Sequence, residues 1–458
     1  MSLSAESAAA VEPVFVHARA ELDDIAGELV QAARSAGASD AVARVTESSH
    51  LEVGVREARA EMVQCNRTQA IELTVFEGRR SGSATSTDFT PAARQAVLAA
   101  ARHIARHTGE DPCAGPAERT LLEMSPPDLD LWHPWRVSTD EAIELARRAE
   151  DAARRYSASI VNGDGASVSA FHTQFALATS QGFSGGYAQS RHVIGCSVIA
   201  GDPDGMQADA WRDVRRRACD LDTPEAIGQR AAQRAQRMLG ARRVPTGTWP
   251  VLFEAPVAAH LVHALVSAVS GGALYRSQSF LPDSIGTQVL ADHLGLRETP
   301  HEPRGLASAP FDDDGVRTLT RDVVHRGVLQ GYFLSAYSAR KLDMVTTAHA
   351  GGAHNLSLTS THTALGDDFA AMVRRLDRGL IVTSLMGDGI NRVTGDYSRG
   401  AAGLWVENGQ IQYPVHEITI AGNLIDMLRE IVAIGTDVHA TGVRTGSILI
   451  ERMRIAGI

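Results

Sequence analysis

Two histidines on an apolar helix are the residues whose spacing most directly suggests metal chemistry in this sequence. His260 and His263 lie three residues apart in the run EAPVAAHLVHALVSA, so a helix would bring them to the same side. A hydrolytic zinc site needs about three protein ligands, an open position for water, and a carboxylate that takes the proton of that water. No Asp or Glu occurs from Ala255 to Leu281. We therefore predict core or interface histidines here, and keep His260 and His263 as the candidates should a metal bind.

A second group of histidines surrounds a glycine-rich segment. His349, His354 and His362 flank Ala350-Gly351-Gly352-Ala353, and three histidines in such a loop could bind a metal or a peptide carboxylate. No neighbouring Cys or Glu completes a ligand set, which favours a surface loop. Asp312-Asp313-Asp314-Gly315 resembles the start of a calcium loop, but the later ligands and the bidentate Glu are missing. We interpret that segment as a turn.

Other catalytic signatures are missing from the sequence. No Gly-x-Ser-x-Gly elbow occurs between a strand and a helix. Gly182-Phe183-Ser184-Gly185-Gly186 is not followed by Gly-Lys-Ser or Gly-Lys-Thr, so it is a glycine-rich turn and not a phosphate loop. The 4 cysteines have no CxxC spacing, which is typical of ordinary thiols in a reducing compartment. We predict no catalytic and no metal-ligating residue in this chain.

The N-terminal half shows the pattern helix, strands, helix twice. Pro13 to Ala36 has helical periodicity, Thr90-Pro91 begins a second helix, and Ser138 with Glu141 forms the capping box of a third. Asp111 to Pro134 is rich in Pro and Asp and predicts a linker, and Thr223-Pro224 begins a further helix. Strands are predicted at 51–55, 71–76, 81–86, 157–161, 167–172, 175–179 and 192–200. The units are predicted as residues 1–110 and 111–240.

The C-terminal half, residues 241–458, is predicted to be mostly β with a few helices. Strands are predicted at 249–253 and 447–450, a hairpin at 322–333, helices at 255–270, 367–377 and 423–432, and irregular structure at 271–311. Asn408-Gly409 lies between two β-forming runs and predicts a type I′ hairpin, while Pro414 limits the second strand to an edge or an end. The whole is predicted as α+β, with a barrel-like or sandwich-like C-terminal half.

Composition and charge limit the function classes. With 458 residues and 44% hydrophobic content the chain has ample core for two or three domains. The net charge of −10 argues against a broad nucleic-acid surface. No stretch is long and apolar enough to span a membrane, and MSLSAESAAAVEP lacks the features of a signal peptide. We expect a cytoplasmic protein.

Several segments together resemble the TldD/PmbA family, also known as modulators of DNA gyrase, and most closely its PmbA (TldE) branch. The first are Asp396–Gly403, Tyr413-Pro414-Val415 and Glu417–Leu424. Further segments follow in the family's order: Ser86-Thr87-Asp88, Asp111–Gly115, Pro127–Leu131, Phe311-Asp312, Gly315–Thr318 and Tyr337–Leu342. The resemblance covers most of the chain, and no single motif carries it.

The resemblance implies a subunit of a bacterial metalloprotease. Catalytic members carry His-Glu-x-x-x-His on one helix and a cysteine ligand near the C-terminus. Here His260-x-x-His263 has no Glu between the histidines, and Cys219 is the last cysteine. The implied role is that of a partner which pairs with a zinc-bearing TldD-type chain as a heterodimer and helps to enclose a cavity for unfolded peptides, such as microcin precursors or antitoxins. No cofactor is expected in this chain, and zinc is expected in the partner.

An extended peptide substrate could bind this chain by strand addition, which gives affinity with little demand on sequence. The candidate edge is Gln410, Ile411, Gln412 and Tyr413. Two alternatives remain open: an independent metallopeptidase that uses His260 and His263 with a distant carboxylate, or a homomeric binding or scaffold protein.

Overall fold

The computed structural model describes residues 14–203 and 205–457. The predicted helix start at Pro13 and the segment examined for a signal peptide lie outside the described residues. The helices are α1 (Arg19–Ser35), α2 (Pro91–His107), α3 (Thr139–Tyr156), α4 (Pro224–Gln236), α5 (Ala255–Ala268), α6 (Gly271–Tyr275), α7 (Ala336–Lys341), α8 (Phe369–Leu376) and α9 (Leu424–Arg429).

The strands of the N-terminal half are β1 (Asp40–Arg56), β2 (Arg59–Glu77), β3 (Arg80–Ser86), β4 (Ile160–Thr179), β5 (Ser184–Gly185), β6 (Ala188–Asp202) and β7 (Gly205–Arg215). Those of the C-terminal half are β8 (Gly247–Phe253), β9 (Leu294–Glu298), β10 (Arg321–His325), β11 (Val328–Leu329), β12 (Leu356–Ser360), β13 (Gly379–Met386), β14 (Asp396–Glu407), β15 (Gln410–Asn423), β16 (Ile431–Ile434), β17 (His439–Ala440), β18 (Val443–Thr445) and β19 (Ile448–Ala456). The predicted α+β class is confirmed.

The two predicted N-terminal units contribute strands to one sheet. Its order is β3-β2-β1-β4-β6-β7, and β5 pairs with β4. The join is the antiparallel pair of β1 and β4, which runs from Val42–Thr179 to Val55–Ala166. The linker between the units crosses without forming a strand of its own. The predicted boundaries at 110 and 240 stay predictions, and the sheet spans the first of them.

Four helices cover one face of this sheet. α1 and α2 pack against β1 and β2 through buried residues such as Leu29 and Leu73. α3 and α4 pack against β4 and β6 through small residues such as Ala149. Thr90 and Thr223 cap α2 and α4, and Ser138 with Glu141 forms the capping box of α3, as predicted. The opposite face of the sheet is left for the C-terminal domain.

Two strand predictions in this half were wrong. The three predicted strands between 157 and 179 are one strand, β4, because the Asn-Gly-Asp-Gly segment forms a bulge instead of a turn. Gly165 has φ +85°, and an added Cβ would lie 1.9 Å from the carbonyl oxygen of Val55, so glycine lets the strand continue there. β7 was not predicted, because apolar and polar residues do not alternate regularly along it and neither side of the strand is consistently apolar.

The C-terminal half is built around a closed barrel. β15, β14, β13, β8 and β19 follow one another, and β15 pairs again with β19 through Thr419–Ala421. Asn408 and Gly409 both have positive φ, so the predicted turn between β14 and β15 is confirmed. A second sheet has the order β11-β10-β9-β12-β18-β17. α5 follows β8 directly and packs on the barrel core.

Two predictions in this half need correction, and a third is confirmed with shorter strands. The helix predicted to reach Val432 ends at Arg429, and Ile431–Ile434 form β16, since this apolar run pairs with β19. The segment predicted to be irregular at 271–311 contains α6 and β9. The hairpin at 322–333 is confirmed but short, with β10 and β11 as its strands. No helix in the described residues is both long and apolar enough to cross a bilayer.

Candidate functional site

A cleft of about 960 Å³ separates the open face of the N-terminal sheet from helix α5. We call it the central cleft. Its sheet side includes Met62 and Arg212, and its other side includes His260, His263 and His439. A second cavity of about 760 Å³ adjoins it beside α4, and the two share Trp211, Arg234, Pro256 and His439. The sheet and α5 together therefore form a site large enough for a peptide segment.

His260 and His263 are both exposed in this cleft. Of the predicted core or interface histidines, the core alternative is wrong, because residues such as Leu261 and Leu265 form the apolar face of α5 and the histidines lie beside it. The interface alternative stays a prediction. Partial burial lowers the pKa of His260, and Arg399 and His263 lower it further. Burial also lowers the pKa of His263. Both imidazoles are therefore neutral at pH 7 and can accept or donate hydrogen bonds in the cleft.

Glu254 is the carboxylate that precedes α5 in the chain, and it forms ion pairs with two arginines. Its Oε2 lies 2.8 Å from Nη1 of Arg234, and its Oε1 lies 3.1 Å from Nη2 of Arg237. Arg234 also bonds Asp209 Oδ1 at 3.1 Å and donates to the carbonyl of Thr383 at 3.1 Å. This buried network joins α4 and β7 to the start of α5. A carboxylate committed to two guanidinium groups is not available as a base.

The residues around α5 do not fit the zinc site of catalytic family members. Within residues 14–203 and 205–457, one group of three His, Cys, Asp or Glu side chains has its ligand atoms within 4.8 Å of one another, and it does not include His260 or His263. The helix also lacks the adjacent carboxylate that activates water.

That one group is Glu298, His349 and His354, which are all buried. Nε2 of His349 lies 2.9 Å from both oxygens of Glu298, and Nδ1 of His354 lies 3.0 Å from Oε1. The backbone N–H of His354 donates to Oε1 at 2.8 Å, and Nε of Arg321 donates to Oε2 at 2.8 Å. The predicted surface loop was therefore wrong for His349 and His354, since a Glu from a distant strand completes the cluster.

The Glu298 cluster is better suited to hold the fold than to hold a metal. Burial alone would raise the pKa of Glu298, but hydrogen bonds from His349 and His354 and the charge of Arg321 outweigh it and bring the pKa below its usual range. Burial lowers the pKa of His349 to about 4, so this imidazole is neutral at pH 7 and Arg321 supplies the balancing charge. The four lone-pair positions of the carboxylate are occupied, and a dication would stand beside a guanidinium.

The remaining predicted candidates lie elsewhere. His362 is exposed and stacks on His293 at 4.3 Å between ring centroids, so it does not join the other two histidines. Asp312 accepts N–H bonds from Asp314, Val316 and Ala350 at 2.8–3.0 Å, which confirms a turn and ties it to the glycine-rich loop. Burial raises the pKa of Asp312 to about 7.

The predicted peptide-binding edge is far from the central cleft. Tyr413 pairs with Trp405 in β14, and Arg399, whose charge acts on His260, lies six residues earlier on the same strand. At about 3.3 Å per residue the two positions are roughly 20 Å apart. The edge is open and Ile411 is 46% exposed, while the guanidinium of Arg242 covers the Tyr413 ring at 3.7 Å. Peptide binding at Gln410–Tyr413 stays a prediction.

Family models and known relatives match nearly the whole chain. Three domain models match in order: PmbA/TldA metallopeptidase domain 1 at residues 41–105, the central domain at 132–239, and the C-terminal domain at 246–457. The chain is 45% identical over 425 residues to metalloprotease PmbA of Escherichia coli O157:H7, which covers 93% of each chain. It belongs to the PmbA/TldD metallopeptidase family.

Other relatives agree with this family membership. A metalloprotease PmbA homolog of Haemophilus influenzae is 41% identical over 438 residues, covering 95% of this chain and 96% of the relative. A proposed modulator of DNA gyrase from Bacteroides thetaiotaomicron superposes with TM-score 0.90 at 24% identity, over 96% of this chain and 99% of that one. TldE from Thermococcus kodakarensis superposes with TM-score 0.82 at 19% identity, over 94% and 100%. The two structures show that the fold is shared.

The sequence predictions missed the charged residues that hold the Glu298 cluster together and those that fix the start of α5. Glu298 and Arg321 lie far from His349 and His354 in the chain, and neither stands in a recognisable motif. Arg234 was not singled out from the sequence, because its buried contact with Glu254 depends on how α4 meets the start of α5. A charged residue on the buried side of a helix or strand is the signal that could have marked them.

Proposed function

We propose that this chain is a PmbA/TldE-type subunit of a TldD/TldE metalloprotease, that it acts in the cytoplasm, and that it carries no zinc. In this proposal a TldD-type paralogue supplies the zinc and the catalytic base. The chain described here forms part of the wall of the cavity that receives unfolded peptides of the microcin-precursor or antitoxin type. Proteolysis is then a property of the pair.

One observation carries the proposal: the helix that faces the cleft presents two histidines without a third ligand or a free carboxylate. Glu254, the nearest acidic residue before α5, is paired with Arg234 and Arg237. Family membership supports the protease assignment, and the superposition on a TldE structure supports the branch. The cleft supports a role in holding peptide, since a sheet edge and a helix flank an open channel.

The test is to purify the chain alone and together with a TldD-type paralogue. We expect zinc below one tenth of the protein concentration and no peptidase activity for the chain alone, and cleavage of an unfolded peptide by the mixture. Stoichiometric zinc together with cleavage by the isolated chain would refute the proposal and favour the independent metallopeptidase. Native mass measurement of the mixture shows whether the two chains associate, and persistence of homomers alone would favour a scaffold.

The substitution His263→Ala distinguishes further between the proposed subunit and an independent metallopeptidase. In the proposed subunit this change leaves the metal content of the mixture unchanged, since the paralogue holds the zinc. In an independent metallopeptidase it removes metal from this chain. His325→Ala is the matched control, because His325 is an exposed histidine of the same domain outside the cleft.

A further inference from the structure

Two further histidines lie one turn apart at the end of helix α2, and neither lines the central cleft. His103 and His107 are both exposed, and the centroids of their rings lie 4.4 Å apart. Positions i and i+4 of a helix lie on the same side of it. Zinc peptidases with two histidines on one helix use this spacing to place both imidazoles on one ion. The pair at the end of α2 therefore has the spacing of two metal ligands.

A hydrogen bond prepares the ring of His107 for a metal ion. Its Nδ1 lies 2.8 Å from the carbonyl oxygen of His103. A carbonyl oxygen only accepts hydrogen bonds, so Nδ1 carries the proton and Nε2 keeps its lone pair. Histidines that bind metals usually have their other N–H held in this way by a carbonyl or a carboxylate. His107 therefore offers Nε2 as a ligand, and the exposed ring of His103 can turn to meet the same ion.

The position in the helix also favours a cation. α2 ends at His107, and the partial negative charge of a helix is concentrated in its last turn. Thr108 stabilises this end, because its N–H and its Oγ1 both donate to the carbonyl oxygen of Ile104, at 3.0 and 2.8 Å. The two histidines are therefore carried by an ordered turn with a favourable dipole.

The neighbouring charges decide which cations fit. Arg102 and Arg106 share the carboxylate of Glu77, at 3.1 and 3.3 Å. Arg80 pairs with Glu110 at 3.5 Å. Three guanidinium groups against two carboxylates leave a net positive charge, which repels ions held mainly by charge, such as Mg²⁺ and Ca²⁺. Cu²⁺, Ni²⁺ and Zn²⁺ instead bind well to neutral imidazole nitrogens.

We propose that His103 and His107 form a binding site for a divalent transition-metal ion, Cu²⁺ or Ni²⁺ before Zn²⁺, on the surface of helix α2. Two protein ligands hold an ion less firmly than the three or four ligands of catalytic and structural zinc sites, and water completes the coordination. The ion therefore exchanges with solvent and is lost when the protein is purified with a chelator. The site goes beyond the subunit role proposed above and is separate from the helix that faces the cleft.

Calorimetric titration of Ni²⁺ into the full chain, free of an affinity tag and stripped of metal, measures the binding. We expect His103→Ala and His107→Ala each to weaken Ni²⁺ binding at least about ten-fold, because either change leaves a single ligand. Both side chains are exposed, and alanine is a good helix former, so the variants should fold. His263→Ala and His325→Ala are the matched controls and should bind Ni²⁺ within about two-fold of the unchanged chain.

A competition experiment tests the kind of ion. Mg²⁺ or Ca²⁺ in about a hundred-fold excess should leave the affinity for Ni²⁺ within about two-fold, and Cu²⁺ should bind more tightly than Ni²⁺. Displacement of Ni²⁺ by Mg²⁺ or Ca²⁺ would overturn the proposal, since it would indicate a site made of carboxylates. Ni²⁺ affinity that is unchanged in His103→Ala and His107→Ala, or that falls only in His263→Ala, would overturn it as well.

Failure of this inference can be told apart from failure of the proposed function. Ni²⁺ binding is measured on the isolated chain, and proteolysis on the mixture with a paralogue. If the α2 variants bind Ni²⁺ as the unchanged chain does while the mixture cleaves its substrate, the metal site falls and the subunit role stands. If Ni²⁺ binding depends on both histidines while the mixture is inactive, the metal site stands and the protease role falls.

Discussion

At the scale of single residues, the most informative feature is a carboxylate with no exposed surface. Glu298 is 0% exposed and contacts Arg321, His349 and His354. It holds β9 against β10 and against the glycine-rich loop that follows α7. A buried charge is tolerated only when its partners are in place, and here each partner comes from a different segment.

Glu298→Gln should strongly destabilise the protein. The amide has nearly the same shape, but it leaves the half-buried guanidinium of Arg321 and the buried histidines without the carboxylate, so we expect the free energy of unfolding to fall by about 3 kcal/mol. Urea unfolding followed by circular dichroism measures this. Glu302→Gln is the control, because Glu302 pairs with Arg444 nearer the surface, and its loss should cost about 1 kcal/mol or less. Similar losses in the two variants would mean that the cluster contributes little.

At the scale of elements, the N-terminal helices differ in how closely they approach their neighbours. α3 and α4 meet where Gly228 faces Ala149, and an added Cβ would lie 1.9 Å from the Ala149 carbonyl oxygen. Glycine is therefore needed for the two helices to cross at this distance. Gly27 lies in the middle of α1 with nothing within 4 Å of the same added atom.

The same substitution in these two helices should have opposite effects. Gly228→Ala should lower the free energy of unfolding by about 1–3 kcal/mol, because the helices must separate. Gly27→Ala should raise it by about 0.5–1 kcal/mol, because alanine has the higher helix propensity. Thermal unfolding of both variants gives the comparison. A stabilised Gly228→Ala protein would show that the close crossing of α3 and α4 is wrong.

Structural features that depend on a few neighbouring residues could be predicted from the sequence, whereas features that depend on distant contacts could not. The helix starts at Thr90, Ser138 and Thr223 and the turn at Asn408-Gly409 could be predicted, because capping and turn chemistry are decided within a few residues. β7 could not, since an edge strand beside a cleft needs no apolar side. Of the candidate site, His260 and His263 were found from their spacing, but their exposure depends on how α5 packs on the barrel. The Glu298 cluster depends on contacts more than fifty residues apart, which no local pattern encodes.

At the scale of the whole molecule, buried histidines link stability to pH. Burial lowers the pKa of both His172 and His349 to about 4, while an unfolded histidine has a pKa of about 6.5. Between these values the unfolded chain binds more protons, so each histidine removes stability as the pH falls from about 6.5 to about 4. Asp312 acts in the opposite direction, because its pKa is raised to about 7 and its stabilising effect grows as the pH falls.

His172→Gln isolates one of these contributions. Nε2 of His172 accepts the N–H of Trp135 at 3.1 Å, and the glutamine oxygen can accept the same bond without titrating. We expect the difference in unfolding free energy between variant and unchanged protein to move in favour of the variant below pH 6.5, by up to about 1.4 kcal/mol per pH unit. Chemical unfolding of both proteins at about pH 7, 6 and 5 measures this difference in unfolding free energy. A difference that is constant across this range would contradict the buried, neutral state of His172.

The pairing of β1 with β4 limits how the polypeptide can be divided. Neither residues 1–110 nor 111–240 would make a stable fragment. A cut between them leaves the backbone N–H and C=O groups of β1 and β4 without their hydrogen-bond partners in the middle of the sheet. Each piece produced by itself should aggregate. Produced together in one cell, the two pieces should find each other and reassemble, since the linker that normally joins them adds no strand to the sheet they share.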